Sequence, residues 1–348
     1  MHDGERIAFG LFLETAHMSL IPSRLSLAVD EGLSLPDAGR IVVYRPRAGY
    51  DLSALPRAQV SVVQGFFPDH QAFAQAGFDT DVRFEGEAAM AVVVVPRAKD
   101  EARALIAEAA AQVGSDGIIV VDGQKTDGVD SLWKALRKRG EILGAQSKAH
   151  GRIFWFRGLD LADWAAAPSQ TGDGFLTAPG VFSADGADKG SVLLGEALPQ
   201  KLPPRVCDLG AGWGYLAAPV LARKGVVSLD LVEAEHAALE AARVNVTDPR
   251  AEFIWEDARH LSGRSYDLVI SNPPFHTTRT AEPDLGRAFI ASAARLLTQR
   301  GELWLVANRH LGYEATLGEH FRDYSEIAGT NAFKVLRATR PTRKTRTR

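Results

Sequence analysis

The chain has 348 residues, 46% of them hydrophobic and 24% charged, with a formal net charge of −3. That is an ordinary globular composition, long enough for two domains with cores of their own, and the charge does not mark the whole protein as a polyanion binder. One cysteine, Cys207, excludes a disulfide framework or a cysteine zinc site within the chain, and the nine histidines show no metal-like pair spacing, so no metal is expected. No apolar run approaches the roughly 18 residues needed to span a bilayer. The N-terminus carries no basic segment followed by an apolar core of the signal type, so a cytoplasmic protein with no membrane partner is expected.

Residues 1 to about 40 are mixed, with a short helix predicted over 21–30. Strands and helices then alternate. Strands are predicted at 41–44, 60–64, 90–95, 117–121 and 152–156, with helices at 99–113 and 131–139. Residues 165–190 break this pattern with a linker-like Ala-Ala-Ala-Pro-Ser-Gln-Thr-Gly-Asp-Gly stretch, and a helix is expected at 189–197. A second unit begins after Pro203-Pro204. Its strands are predicted at 205–209, 227–232, 252–255, 267–271 and 302–307, with two more near 324–328 and 333–338. Its helices are predicted at 215–223, 234–246, 284–297 and 313–321. Such alternation implies a parallel sheet with helices on both faces.

The two units look like copies. Each has a β-branched strand ending in proline, at Pro96 and at Pro273, then an Ala-rich helix, a Gly-initiated strand and a closing strand rich in charge and apolar residues. The order and spacing argue for an internal duplication. The expected fold class is α/β, with two tandem doubly wound domains. Their expected extents are 1–165 and 166–340, followed by a basic tail over 341–348.

Chemistry concentrates in the second unit. The stretch from Val206 to Tyr215 runs from a strand through Gly210, Gly212 and Gly214 into a helix, with Asp208 ahead of the glycines. Glycines there let the backbone approach a ligand closely. The spacing is Gly-x-Gly-x-Gly, not the Gly-x-Gly-x-x-Gly of dinucleotide sites. Asp208 is poor company for a pyrophosphate and good company for an ammonium, directly or through water. The next strand ends in Glu233, placed where doubly wound folds use an acid to accept from ribose hydroxyls. The third is followed by Asp257 and Ala258, where an acid can accept from an adenine amino group. The fourth ends in Asn272-Pro273-Pro274-Phe275, a stretch no sheet can continue because neither proline donates an N–H. A neutral amide beside a flat ring suits a planar amine or amide substrate. The same residues also suit a plain strand-ending turn with Phe275 in the core.

Taken together, Asp208-x-Gly210-x-Gly212-x-Gly214, Glu233, Asp257 and Asn272-Pro-Pro-Phe275 resemble a class I S-adenosylmethionine methyltransferase of the Asn-Pro-Pro-aromatic type. Within that group the chain is most similar to the bacterial small-subunit (16S) ribosomal RNA guanine-N2 methyltransferases. The stretches 180–190, 270–276, 301–308 and 333–338 carry this likeness. It is specific over 175–339; over 1–165 it rests on architecture, since that family carries a degenerate methyltransferase-like domain in front. The resemblance implies S-adenosylmethionine as cofactor, bound by Asp208, Gly210, Gly212, Gly214, Glu233, Asp257, Ala258 and Asn272. It implies ribosomal RNA or the small ribosomal subunit as partner. Asn272, Pro273, Pro274 and Phe275 would be catalytic, with Asn272 Oδ1 and the Pro273 carbonyl accepting from the target amine and Phe275 stacking on the extruded base.

The same turn serves methyltransferases acting on DNA or RNA adenine N6 or on protein glutamine N5, which usually carry Tyr where this chain has Phe275. An oxidoreductase is disfavoured by the glycine spacing, and a non-catalytic RNA-binding relative by the intact cofactor residues. Oligomeric state is not legible. The first unit is expected to bind no cofactor and to help hold RNA. Arg45, Arg47, Arg97 and Lys99 are expected along one sheet edge, as a phosphate-binding cluster or equally as ordinary surface cations on a domain kept for stability, and the basic run Lys334 to Arg348 reads first as a solvated tail and second as a phosphate-binding arm.

Overall fold

The computed structural model describes residues 23–166, 169–274 and 283–342. The first unit opens with α1 (Arg24–Asp30), whose cap Ser23 accepts from the Ser26 N–H. It continues through β1 (Ile41–Tyr44), β2 (Val60–Val63), α2 (Phe67–Gln75), β3 (Asp79–Asp81), β4 (Met90–Val94), α3 (Lys99–Val113), β5 (Ile118–Gln124), α4 (Val129–Arg137), β6 (Gly144–Lys148) and β7 (Gly151–Phe156). A two-stranded ribbon, β8 (Ser169–Gln170) and β9 (Leu176–Thr177), connects the units. The second unit runs through α5 (Lys189–Ala197), β10 (Arg205–Leu209), α6 (Ala217–Leu221), β11 (Ser228–Glu233), α7 (His236–Asn245), β12 (Ala251–Trp255), β13 (Tyr266–Ser271), α8 (Pro283–Leu296), β14 (Leu297–Asn308), α9 (Glu314–His320), β15 (Phe321–Gly329) and β16 (Phe333–Pro341).

The two seven-stranded sheets have the same order. The first reads β3-β2-β1-β4-β5-β7-β6 and the second β12-β11-β10-β13-β14-β16-β15. In each, five strands pair in parallel, the next strand in the order (β7 or β16) runs antiparallel to them, and the edge strand (β6 or β15) pairs antiparallel with that one and so shares the direction of the five. Each sheet separates two apolar layers. Ile41 and Val43 pack in one layer and Val42 and Tyr44 in the other, as the two-residue period of a strand requires. In the second sheet Val206 and Cys207 divide in the same way. Trp164 packs in the first unit's core, while Phe175, Ala178 and Val181 pack around Trp213 in the second.

β3, β6 and α2 escape the sequence pattern, as do the two-residue strands β8 and β9 in the stretch read as a linker. β3 and β6 are edge strands whose residues stay exposed or half-buried, so no run of apolar residues marks them. α2 buries only Phe73, which leaves no amphipathic stripe to read. Glu233 is the last residue of β11, the strand end at which the sequence places it. The helix expected at 215–223 shortens to Ala217–Leu221.

Arg45 corrects the expected phosphate cluster. Its guanidinium lies within 2.9 Å of Glu101 and 2.9 Å of Glu235, and its side chain is only 19% exposed. A cation held between two carboxylates has no free face for a phosphate. Arg47 is exposed and 3.9 Å from Asp127. Arg97 and Lys99 are exposed, and among the described residues neither has a carboxylate partner.

Candidate active site

In both sheets the chain runs outward from the first strand to one side and then resumes on its other side, so β10 lies between β11 and β13. Turns after such neighbouring strands meet at the carboxyl edge, where open α/β sheets bind ligands. Gly210, Gly212 and Gly214 all take positive φ there, 83°, 56° and 87°. Their reasons differ. A Cβ on Gly210 would lie 3.0 Å from Phe289, and one on Gly214 would lie 3.0 Å from Val246, so both glycines admit neighbouring helices. A Cβ on Gly212 would meet nothing within 4 Å, because that position opens on a cleft. Glu233 ties the turn to its own strand end. Its Oε2 accepts from the Gly212 N–H at 2.8 Å, and its Oε1 accepts from the N–H groups of Ala234 and Glu235 at 2.8 Å each. Burial raises the Glu233 carboxyl above the ordinary range against those three donors.

Asp208 sits beneath the loop, fully buried, and neither carboxyl oxygen has a hydrogen-bond partner among the described residues. Burial, reinforced by nearby Glu233, pushes its pKa up to about 8. A buried carboxyl of this kind ionises readily only when a cation or a strong donor approaches.

On the other side of the loop, Ser271 Oγ donates to the Leu209 carbonyl at 2.6 Å and joins the two strand ends. Asn272 follows. Its Nδ2 donates to Asp188 Oδ2 and to Ser191 Oγ, both at 2.8 Å. Asp188 is itself fixed as the cap of α5, accepting from the Gly190 and Ser191 N–H groups at 2.8 and 3.1 Å. With both amide donors engaged, Oδ1 is left buried and unpaired, facing away from the cap. Asp188 and Ser191 were missed as site residues. The available signal was an Asp immediately before a predicted helix, which reads only as a cap.

The cleft in front of these groups has a volume of about 630 Å³. Gly210, Gly212, Glu233, Asp257, Ala258, Asn272 and Pro274 line it, with Leu285 and Phe289 of α8 as an apolar wall. Phe182, 54% exposed, lines its rim beside Asn272. Asp208 and Gly214 do not reach the wall, and Pro273 is buried behind Pro274. Asp257 is already engaged by the Arg259 guanidinium at 2.7 Å and by His260 Nδ1 at 3.0 Å. Burial would raise its carboxyl, but the bonds from Arg259 hold it below the ordinary range. Phe275 lies outside the described residues. Among the described residues no group of three or more His, Cys, Asp or Glu is placed to hold a metal, and no helix is long and apolar enough to cross a membrane. The unpartnered Asp208 carboxyl, the open Gly212 and the free Asn272 Oδ1 suit a ligand that carries an ammonium, a ribose and a reactive centre. S-adenosylmethionine fits that donor set.

The chain is 33% identical over 250 residues to the ribosomal RNA small subunit methyltransferase C of Salmonella newport (strain SL254), covering 70% of this chain and 73% of that one. The chain belongs to the ribosomal RNA small subunit methyltransferase C family. The Haemophilus influenzae member is 30% identical over 275 residues, covering 76% of this chain and 83% of its own. The Alteromonas mediterranea member is 25% identical over 359 residues and is covered in full. A family model described as the methyltransferase small domain matches residues 173–337, which hold every group of the cleft described so far. In fold the chain resembles the T. thermophilus 16S rRNA N2 G1207 methyltransferase in complex with AdoMet and guanosine, with a TM-score of 0.75, 22% identity and 92% of each chain covered. That likeness covers 92% of this chain and so spans both sheets, and the tandem α/β arrangement is shared with that structure.

Proposed function

We propose that this protein transfers a methyl group from S-adenosylmethionine to the exocyclic N2 amine of a guanine in small-subunit ribosomal RNA. The observation that carries this reading is the fixed orientation of the Asn272 amide. Asp188 and Ser191 consume both N–H groups of this cleft-lining residue, so the one hydrogen-bonding atom left without a partner is an acceptor, the buried Oδ1. An acceptor without charge suits an aromatic amine, which offers two N–H donors and a delocalised lone pair. The names of the family's members and of the T. thermophilus structure supply the target: small-subunit ribosomal RNA and its guanine N2.

The cofactor, when bound, supplies an electrophilic methyl on a sulfonium. The protein's part is to bind and orient. Asp208, buried behind the wall, would meet the ammonium end through a water, Glu233 would accept from the ribose, and Asp257 with Ala258 would border the base. Asn272 Oδ1 and the Pro273 carbonyl accept from the target amine and favour a nitrogen whose lone pair points into the cleft. Holding two reactants in line in this way contributes about 7–11 kcal/mol in well-oriented systems. Phe275 stacks on the extruded base, worth roughly 1–3 kcal/mol.

The test is mass spectrometry of nucleosides from small-subunit ribosomal RNA incubated with the protein and methyl-labelled cofactor. N2-methylguanosine is expected with the wild type and is lost with Asn272→Ala, which still binds cofactor. Labelled N6-methyladenosine, or label in protein glutamine, would overturn the reading.

A further inference from the structure

The two carboxyl sheet edges meet each other at residues that correspond in the two copies. In the first unit the Arg45 N–H donates to the Val63 carbonyl at 2.8 Å; in the second the Gly210 N–H donates to the Val232 carbonyl at 2.9 Å. This aligns Gln64 with Glu233, Gly65 with Ala234, Phe66 with Glu235 and Phe67 with His236. These matched residues pair across the junction. The Phe67 N–H donates to the Ala234 carbonyl and the His236 N–H to the Gly65 carbonyl, both at 2.8 Å, with Phe66 and Glu235 opposed as an antiparallel bridge. The contact is reciprocal, as in an interface between two copies of one surface. Gly65 allows it, since a Cβ there would lie 2.9 Å from Glu235 Oε1. Trp255 Nε1 donates to the Gly65 carbonyl at 3.2 Å, and Phe67 packs edge-on against that indole.

The bridge holds Phe66 on the wall of the cofactor cleft. The Phe66 N–H is fixed at 2.9 Å to Gln64 Oε1, and its ring remains 36% exposed. That ring lines the cleft beside Glu233, Glu235, Asp257 and Ala258, the ends of the second and third strands. Those strand ends receive the ribose and base of a bound nucleoside in doubly wound folds. The backbone bonds fix where the Phe66 main chain stands at that end, and an aromatic side chain has only two χ angles to order when a ligand arrives.

We propose that Phe66 is a cofactor-binding residue donated by the non-catalytic unit, its ring closing the nucleoside end of the cleft, so that the cofactor site belongs to both domains. The inference rests on the reading of the cleft as the S-adenosylmethionine site. It gives the first unit a definite role beside the second: that unit has lost its own ligand edge to the junction, and it supplies one wall of its partner's site.

Titration calorimetry with S-adenosylhomocysteine on the full chain tests this, with the melting temperature of each unliganded variant as control. Phe66→Ala is expected to weaken binding about tenfold and Phe66→Leu about threefold, while Phe66→Tyr stays within twofold of wild type. The leucine and tyrosine variants keep the apolar bulk, so they separate a ring contact from a folding defect if the alanine variant melts early. Wild-type affinity in Phe66→Ala and Phe66→Leu, with Glu233→Ala binding lost, would overturn the role of Phe66 and leave the cofactor site standing. No binding by the wild type would overturn both.

Discussion

Gln64 and Glu233 occupy matching positions at the ends of the second strand of each sheet, and their side chains are wired with opposite polarity. Gln64 Nε2 donates to the Pro46 carbonyl at 2.8 Å, whereas Glu233 Oε2 accepts from the Gly212 N–H at 2.8 Å. Both use Oε1 to accept from the backbone just beyond the strand. Glu233→Gln therefore keeps one half of this arrangement and turns a donor against the Gly212 N–H in the other. We expect a melting temperature close to wild type and a cofactor affinity at least tenfold weaker, read by titration calorimetry. Affinity equal to wild type would show that the glycine turn needs no carboxylate.

On the proposed mechanism Asp188 would act on the target only through Asn272. Asp188→Ala removes the oxygen that accepts from the Asn272 NH₂ and frees that amide to turn, whereas Asp188→Asn keeps a carbonyl oxygen able to accept in the same place. For Asp188→Ala we expect kcat to fall about a hundredfold, the scale of losing one oriented transition-state hydrogen bond, with cofactor affinity within threefold of wild type and about 1 kcal/mol of stability lost with the α5 cap. Asp188→Asn should keep most of both. A drop in cofactor affinity as large as the drop in kcat would assign Asp188 to the fold alone.

The Asp208 carboxyl has a folded-state pKa of about 8, above its unfolded value, so the folded protein holds a proton there that the unfolded chain has released. Stability from this group is complete below the unfolded pKa and is lost as pH rises through about 8. We expect the unliganded protein's melting temperature to decline over that window and Asp208→Asn to flatten the decline. A cationic ligand end favours the ionised carboxyl, so cofactor binding at neutral pH should release a proton. Calorimetry in buffers of different ionisation enthalpy measures this, and no difference between buffers would place the ammonium elsewhere.

Arg45 is the shared cation of Glu101 and Glu235, one carboxylate from each unit. Arg45→Ala leaves those two acids without their counter-charge in a largely buried junction. We expect destabilisation of about 3 kcal/mol, the scale of removing one partner of a buried pair, seen in denaturant unfolding, together with weaker cofactor binding because Glu235 follows Glu233 by two residues. Arg45→Lys should restore only part of it, since an ammonium cannot span both carboxylates as the guanidinium fork does. Undiminished stability in Arg45→Ala would mean that the backbone bonds between Gly65–Phe67 and Ala234–His236 hold the junction unaided.

The sequence by itself determined the strands that are buried on both faces, the loops at their carboxyl ends and the order in which those loops follow. Runs such as Met90–Val94 and Tyr266–Ser271 declare themselves because burial demands apolar residues, and Asn272-Pro273-Pro274 ends a strand by covalent necessity. Repeating that order in both halves already implied the shared strand topology. The sequence was silent where elements are short or exposed, as in β3, β6 and α2, since an edge strand or a helix with one buried residue imposes no period. Tertiary structure alone decided which distant groups meet. Asp188 lies 84 residues before Asn272 and Arg45 lies 190 before Glu235, so no local pattern records either pair. Arg45 read as a free cation on a sheet edge because its charge is visible in the chain and its partners are not. The burial that turned it from a phosphate ligand into an interdomain tie belongs to the way the two sheets face each other.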